Sequence, residues 1–190
     1  MLEQLNTSLS LIISQTQSNA HYLKIIVLIP CVVFLLNRLL HHRLLYLGIM
    51  PRRLIGIPGI LFAPLLHANF NHLFFNLIPL IVLSNFILVH GIDYYLAATV
   101  LITLISGLLI WCFAKPGLHV GASAVITGYW ALIVSGIYHE GSITAIILGI
   151  ISLYYFTGIF LGVFPGKKGV SWEGHLFGLI AGFVVSYLLA

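Results

Sequence analysis

Six apolar runs follow one another along the chain, at 22–40, 65–89, 94–114, 121–138, 143–164 and 173–190. This succession constrains the fold more than any other feature. A helix needs about 20 apolar residues to cross a bilayer. In lipid only helices and closed barrels satisfy their own backbone groups. None of the runs alternates as a barrel strand would, so each reads as a helix. Composition points the same way: the chain is 61% hydrophobic and only 6% charged, too few charges to cover the surface of a soluble domain. The expected fold is an all-α membrane protein, a six-transmembrane-helix bundle forming a single domain over 21–190. Residues 1–20 form a polar, weakly amphipathic lead-in expected to lie at the membrane surface.

One connection is too long and too apolar for a simple turn. "HHRLLYLGIMPRRLIGIPGILFAP" (41–64), broken by Pro51, Pro58 and Pro64, predicts short segments partly embedded in the interface. The others are brief: "HGID" (90–93), "KPGLHV" (115–120), "HEGS" (139–142) and "GKKGVS" (166–171). Cys31 and Cys112 lie inside apolar runs and read as buried fillers. The excess of Lys and Arg sits at loop ends, where it anchors to lipid headgroups, and no basic run long enough for nucleic acid occurs. Seven of the eight Lys and Arg (Arg38, Arg43, Arg52, Arg53, Lys115, Lys167 and Lys168) lie in the first, third and fifth loops, and Lys24 lies opposite. By the positive-inside rule those three loops would be cytoplasmic.

Polar groups at membrane depth are costly and mark function. Three such places stand out: "HANFNHLFFN" (67–76), Ser123, and "GHLFGLIAG" (174–182). They open the second, fourth and sixth spans. Alternate spans run in the same direction, so all three lie on one side of the membrane. The fourth span, from Ser123 to Tyr138, is only about 24 Å long at helical rise, short of a core of about 30 Å. Its leading loop therefore dips inward and sinks Ser123 below the surface, beside protein or water.

His175 supplies a base for that hydroxyl. Gly178, Gly182 and Ser186 make a small-residue stripe that lets membrane helices touch. A carboxylate third member is excluded by position. Asp93 and Glu140 lie on the opposite side, Glu3 is in the lead-in, and Glu173 points about 200° round the helix from His175. The candidates are thus a Ser–His dyad, with an oxyanion hole from the helix N-terminus at Ser123 and from His72 and Asn76, four apart on one helix face. Gly121 allows the sharp turn into the fourth helix and close approach of a substrate backbone.

These residues resemble the rhomboid family of intramembrane serine proteases. The pattern is H-x4-H-x3-N as His67, His72 and Asn76, G-x-S as Gly121 and Ser123, and H-x2-G-x3-G as His175, Gly178 and Gly182, over about 65 to 185. The upstream "PRRLIGIPGILFAPLLHANFNH" resembles the approach to the second span in some bacterial members. The resemblance implies a six-helix bundle, in a bacterial inner membrane, that cleaves the membrane segments of single-span proteins without metal or cofactor. Ser123 would be nucleophile and His175 base. His72, Asn76 and the Ser123 N–H would hold the oxyanion, with His67 lining the site. It also implies cytoplasmic termini and a site opening to the outer face, against the Lys and Arg count; the family orientation is preferred, because headgroup-binding arginines in the long loop distort that count.

Departures are Ala124, where many members have glycine, and Thr127, where many have an aromatic residue against the catalytic histidine. The first loop also lacks the tryptophan of a common Trp–Arg pair, and Arg52 and Arg53 are expected to take part of its role. The rival readings are a haem carrier ligated by His72 and His175, a small transporter, and a non-proteolytic relative that binds membrane helices. The haem reading leaves Ser123 and Asn76 without a task, and serine-directed labelling would count against the other two. A zinc protease is disfavoured, because position 143, where H-E-x-x-H needs its second histidine, is Ile143.

Overall fold

The structure, a computed structural model, describes residues 2–164 and 171–190. It is helical throughout these residues apart from turns and one isolated antiparallel bridge, Ile49 to His119. The helices are α1 (Leu2–Ser18), α2 (Ala20–Leu39), the short α3 (Gly59–Phe62), α4 (Phe70–Leu88), α5 (Ile92–Phe113), α6 (Ser123–His139), α7 (Ile143–Leu161) and α8 (Trp172–Leu188). Helices α2 and α4 to α8 match the six expected spans, and α2, α4 and α5 are each long and apolar enough to cross a membrane. Most of the fifth connection, with Lys167 and Lys168, lies outside the described residues.

Helix α6 is the axis of the bundle. From Ala124 to Gly136 every residue except Val134 is buried, as expected of a helix that is apolar all round and enclosed by others. It packs most extensively on α8, and α4, α5 and α7 complete the ring. Side chains of ordinary size would hold α6 and α8 apart, and two glycines remove them. A Cβ at Gly178 would stand 2.1 Å from the Ala124 carbonyl oxygen, and one at Gly182 would stand 2.1 Å from that of Gly128. The hydrophobic effect does not drive helices together in lipid, so such close backbone packing carries the association.

The long first connection is short segments, as expected: turns of 3-10 helix at Arg43–Leu47, Leu54–Gly56 and Ala63–Leu65, with α3 among them. It is fastened to α5. Ile60 lies over Gly107 of α5. The Arg52 guanidinium donates to the Cys112 and Ala114 carbonyls at 3.2 and 2.9 Å, and the Trp111 indole donates to the Arg53 carbonyl at 2.9 Å. The last carbonyls of a helix have no partner of their own, and Arg52 supplies one. A Trp–Arg link therefore does exist in this chain, with its tryptophan on α5 instead of in the loop.

The lead-in is a continuous helix that packs on α7, α2 and α4. Asn85 of α4 donates to Thr16 at 2.8 Å, and Asn19 donates to the Leu88 carbonyl at 3.1 Å.

Because the α6–α8 contact leaves no room for a methyl group, Gly178→Ala and Gly182→Ala should each destabilise the bundle by about 1–3 kcal/mol. The measurement is the thermal unfolding midpoint in detergent micelles; an unchanged midpoint would mean that the two backbones do not touch.

Candidate active site

Three helix N-termini meet at one end of the bundle, as the alternation of spans requires. Helix α4 begins at Asn69, whose side chain accepts the His72 backbone N–H at 2.9 Å. That N-cap satisfies an otherwise orphaned donor and sets the first turn, which carries His72. One turn later comes Asn76, buried at 8% exposure. Its Nδ2 is buried and has no hydrogen-bond partner among the described residues.

The turn into α6 presses against both residues. Gly121 has φ +115°, a left-handed conformation that suits glycine. A Cβ there would stand 2.5 Å from His72 Nε2 and 3.6 Å from Asn76 Nδ2. The Gly121 N–H is tied to the Ala63 carbonyl at 2.9 Å, which fixes this turn to the first connection. Ser123 follows as the first residue of α6, half-buried.

The Ser123 hydroxyl differs from several others in the bundle. Thr99, Thr127, Ser135 and Ser186 each donate to a carbonyl three or four residues back in their own helix, the usual habit of hydroxyls in membrane helices. Ser123 makes no such bond among the described residues. At a helix start there is no preceding turn to receive it, and the carbonyl four residues back, His119, is taken by the Ile49 N–H at 3.0 Å. Thr127, fully buried, donates to the Ser123 carbonyl at 2.7 Å.

His175 lies in the first turn of α8, half-buried. Its Nδ1 is 3.1 Å from the Ser171 carbonyl. A carbonyl only accepts, so Nδ1 carries the proton and Nε2 is left as the basic nitrogen. Gly178, one turn on, is the residue that meets Ala124, the neighbour of Ser123. His67 lies behind His72, its ring edge-on at 5.1 Å between centroids, and is 1% exposed. A cavity of about 30 Å³ adjoins the site, lined among others by Ser106, His119, Gly121, Ser123 and Ser171. That is room for water, which needs about 10–15 Å³ by the same measure.

The structure thus brings Gly121, His72 and Asn76 into one cluster, with Ser123 and His175 both at the N-terminal end of the α6–α8 contact. Three further residues shape it: Asn69, Ser171 and His119. Asn69 and Ser171 each stand immediately before an apolar helix, which is the sequence mark of an N-cap. Nothing comparable marks the partners of His119.

Comparison with known proteins decides the family. The rhomboid domain model matches residues 56–190. The chain belongs to the rhomboid family. An uncharacterized protein of Mycobacterium tuberculosis (strain ATCC 25618 / H37Rv) is 40% identical over 168 residues, covering 83% of this chain and 70% of the relative. One from Mycobacterium bovis has the same identity and coverage. Another, from Mycobacterium leprae, is 37% identical over 168 residues, 83% of this chain and 66% of the relative. This rhomboid is accordingly an integral, multi-pass membrane protein of a family of intramembrane serine proteases.

Gly121→Ala should slow labelling of this rhomboid by a serine-directed phosphonate at least about tenfold, since even slight displacement of reacting groups is costly. Labelling at the wild-type rate would show that His72 does not need the space the glycine leaves.

Proposed function

We propose that this rhomboid is a serine endopeptidase that cuts the transmembrane segments of single-span membrane proteins with a Ser123–His175 dyad. The observation that carries the reading is three groups at one end of the bundle that, among the described residues, are not engaged: a hydroxyl that does not back-bond, an imidazole whose Nε2 is left basic, and a buried amide N–H with no acceptor. Most buried polar groups in folded proteins find a partner. A transition state that brings a proton to transfer and an oxyanion to hold would satisfy all three at once.

In this reaction the Ser123 Oγ attacks the scissile carbonyl carbon while its proton passes to His175 Nε2. The Nδ1–H bond to the Ser171 carbonyl orients the ring and stabilises the imidazolium. This is the task an acid would perform in a triad. The carbonyl oxygen becomes an oxyanion held by Asn76 Nδ2, the His72 ring and the Ser123 backbone N–H at the positive end of α6. Collapse breaks the C–N bond, and His175 returns its proton to the leaving amine. Water then attacks the acyl-serine while His175 takes its proton; the ester C–O bond breaks, His175 returns that proton to Ser123 Oγ, and the product acid leaves, losing its own proton to solvent. The small residues Gly121, Ala122 and Ala124 let a substrate backbone approach Ser123. A helical substrate shields its peptide bonds, so the segment must unwind there, next to a small residue.

The dyad end faces away from the cytoplasm in this reading, the termini lie inside, and residues 1–20 rest at the inner interface of a bacterial cell membrane. Two of the seven cations that argue for the reverse are engaged by the protein itself. Arg52 caps α5, and Lys115 sits 5.9 Å over the Trp172 ring. Reporter fusions at the termini should be active only with a cytoplasmic reporter; activity of a periplasmic reporter there would reverse the orientation.

Ser123→Ala and His175→Ala should each abolish cleavage of a single-span substrate reconstituted with the enzyme, and Asn76→Ala should lower kcat roughly a hundredfold. Full activity in either dyad variant would rule out this mechanism.

A further inference from the structure

His119 and Ser171 lie outside the reacting groups, yet they form a directed chain of hydrogen bonds between the two halves of the site. His119 Nε2 is 3.0 Å from the Lys115 carbonyl, and its Nδ1 is 2.9 Å from Ser171 Oγ. The carbonyl can only accept, so Nε2 carries the proton and Nδ1 is bare. The Ser171 hydroxyl must therefore donate to Nδ1. Its oxygen in turn accepts the Gly174 N–H at 3.2 Å as the N-cap of α8, and its carbonyl accepts His175 Nδ1–H at 3.1 Å. Every proton in the series is assigned by a neighbour that cannot reverse its role.

The two ends of this chain matter for the reaction. His119 belongs to the segment that delivers the nucleophile, four residues before Ser123, and is itself clamped by reciprocal backbone bonds to Ile49 at 2.9 and 3.0 Å. Ser171 begins the helix that delivers the base. We propose that His119 and Ser171 are positioning residues that lock the α6 entry loop to the start of α8 and, through the Ser171 carbonyl, hold His175 in the tautomer that leaves Nε2 basic. The inference rests on the protease reading for its effect on turnover, but the tautomer it requires is a property of the resting protein.

The link also gives His175 a support suited to this chain. Where the family often has an aromatic residue of the fourth span against the histidine, Thr127 turns instead to its own helix, bonding the Ser123 carbonyl. The ring is held from its Nδ1 side, by a backbone carbonyl whose residue is pinned through its side chain to the neighbouring loop. Losing either side chain frees the carbonyl to turn away and lets the imidazole proton move to Nε2, where it blocks the base.

The test compares His119→Phe, Ser171→Ala, the double variant and Ser171→Thr with the wild type, as full-length protein in detergent micelles. Three things are measured: kcat and KM on a single-span substrate, the unfolding midpoint, and nitrogen NMR of isotope-labelled histidine, with His175 assigned by the resonance lost in His175→Ala. His119→Phe and Ser171→Ala should each lower kcat about tenfold with little change in KM, and should shift His175 from the Nδ1–H form to a tautomer mixture. The double variant should be no slower than the slower single one, because both remove the same link, and Ser171→Thr, which keeps the hydroxyl, should restore most of kcat. Wild-type kcat and tautomer in His119→Phe, or losses that multiply in the double variant, would overturn the proposal. So would a fall in kcat that only tracks a lower midpoint. If His119→Phe does not fold, the comparison of Ser171→Ala with Ser171→Thr decides alone. A wild-type chain that cleaves nothing would sink the protease reading, while the tautomer comparison would still decide the linkage.

Discussion

The site depends on two helices whose backbones touch. Gly178 and Gly182 bring α8 against the carbonyls of Ala124 and Gly128 in α6, and that contact lies one residue from Ser123 and one turn from His175. The proposed nucleophile and base come from the opening turns of separate helices, so their spacing depends on the distance between helix axes. Side chains on long stems reach variable distances, but backbone contact permits only one. Small residues that weaken a soluble helix here fix the spacing in which the chemistry operates.

The helix starts carry the rest of the arrangement. Asn69, Gly121 and Ser171 each set where a helix begins, and with it which residue falls in the first turn: His72, Ser123 and His175. A first turn offers unpaired backbone N–H groups and a positive dipole end. It also gives a hydroxyl no preceding carbonyl to bond. For this reason Ser123 remains unengaged while Thr127, one turn deeper, is bonded within its helix.

Much of this was legible from spacing. Six apolar runs give the bundle, and the parity of spans places residues 67–76, Ser123 and His175 at one end. The glycine register predicted which face of α8 packs, and the prolines of 41–64 predicted its broken segments. The contacts that hold the loops to the helices were not legible. That Arg52 caps α5, that Trp111 receives its partner from Arg53, and that His119 meets Ser171 all depend on how a long irregular segment folds back. Such contacts join residues 52 to 62 positions apart with no periodicity to announce them. Local signals fared better: Asn69 and Ser171 carry a recognisable cap position even where the consequence for the next turn does not follow from sequence.

A dyad without an acid must obtain two services elsewhere: a fixed tautomer before the proton arrives and a stabilised cation afterwards. A buried carboxylate would supply both, but its own charge would have to be desolvated at membrane depth, where an isolated ion is costly. The Ser171 carbonyl supplies the same acceptor as a neutral dipole, at the mouth of a helix whose amide it also serves. It attracts the imidazolium less strongly than a full charge would, and it demands no counter-ion when the histidine is neutral. Glu173, two residues from the base, could not replace it, since it projects from another side of α8. In a low-dielectric setting, a polar acceptor fixed by its neighbours provides orientation at a smaller desolvation cost than a third ionisable residue. In the proposed reaction that difference favours a centre of histidines, amides and backbone, with the buried Glu173 turned to another side of α8.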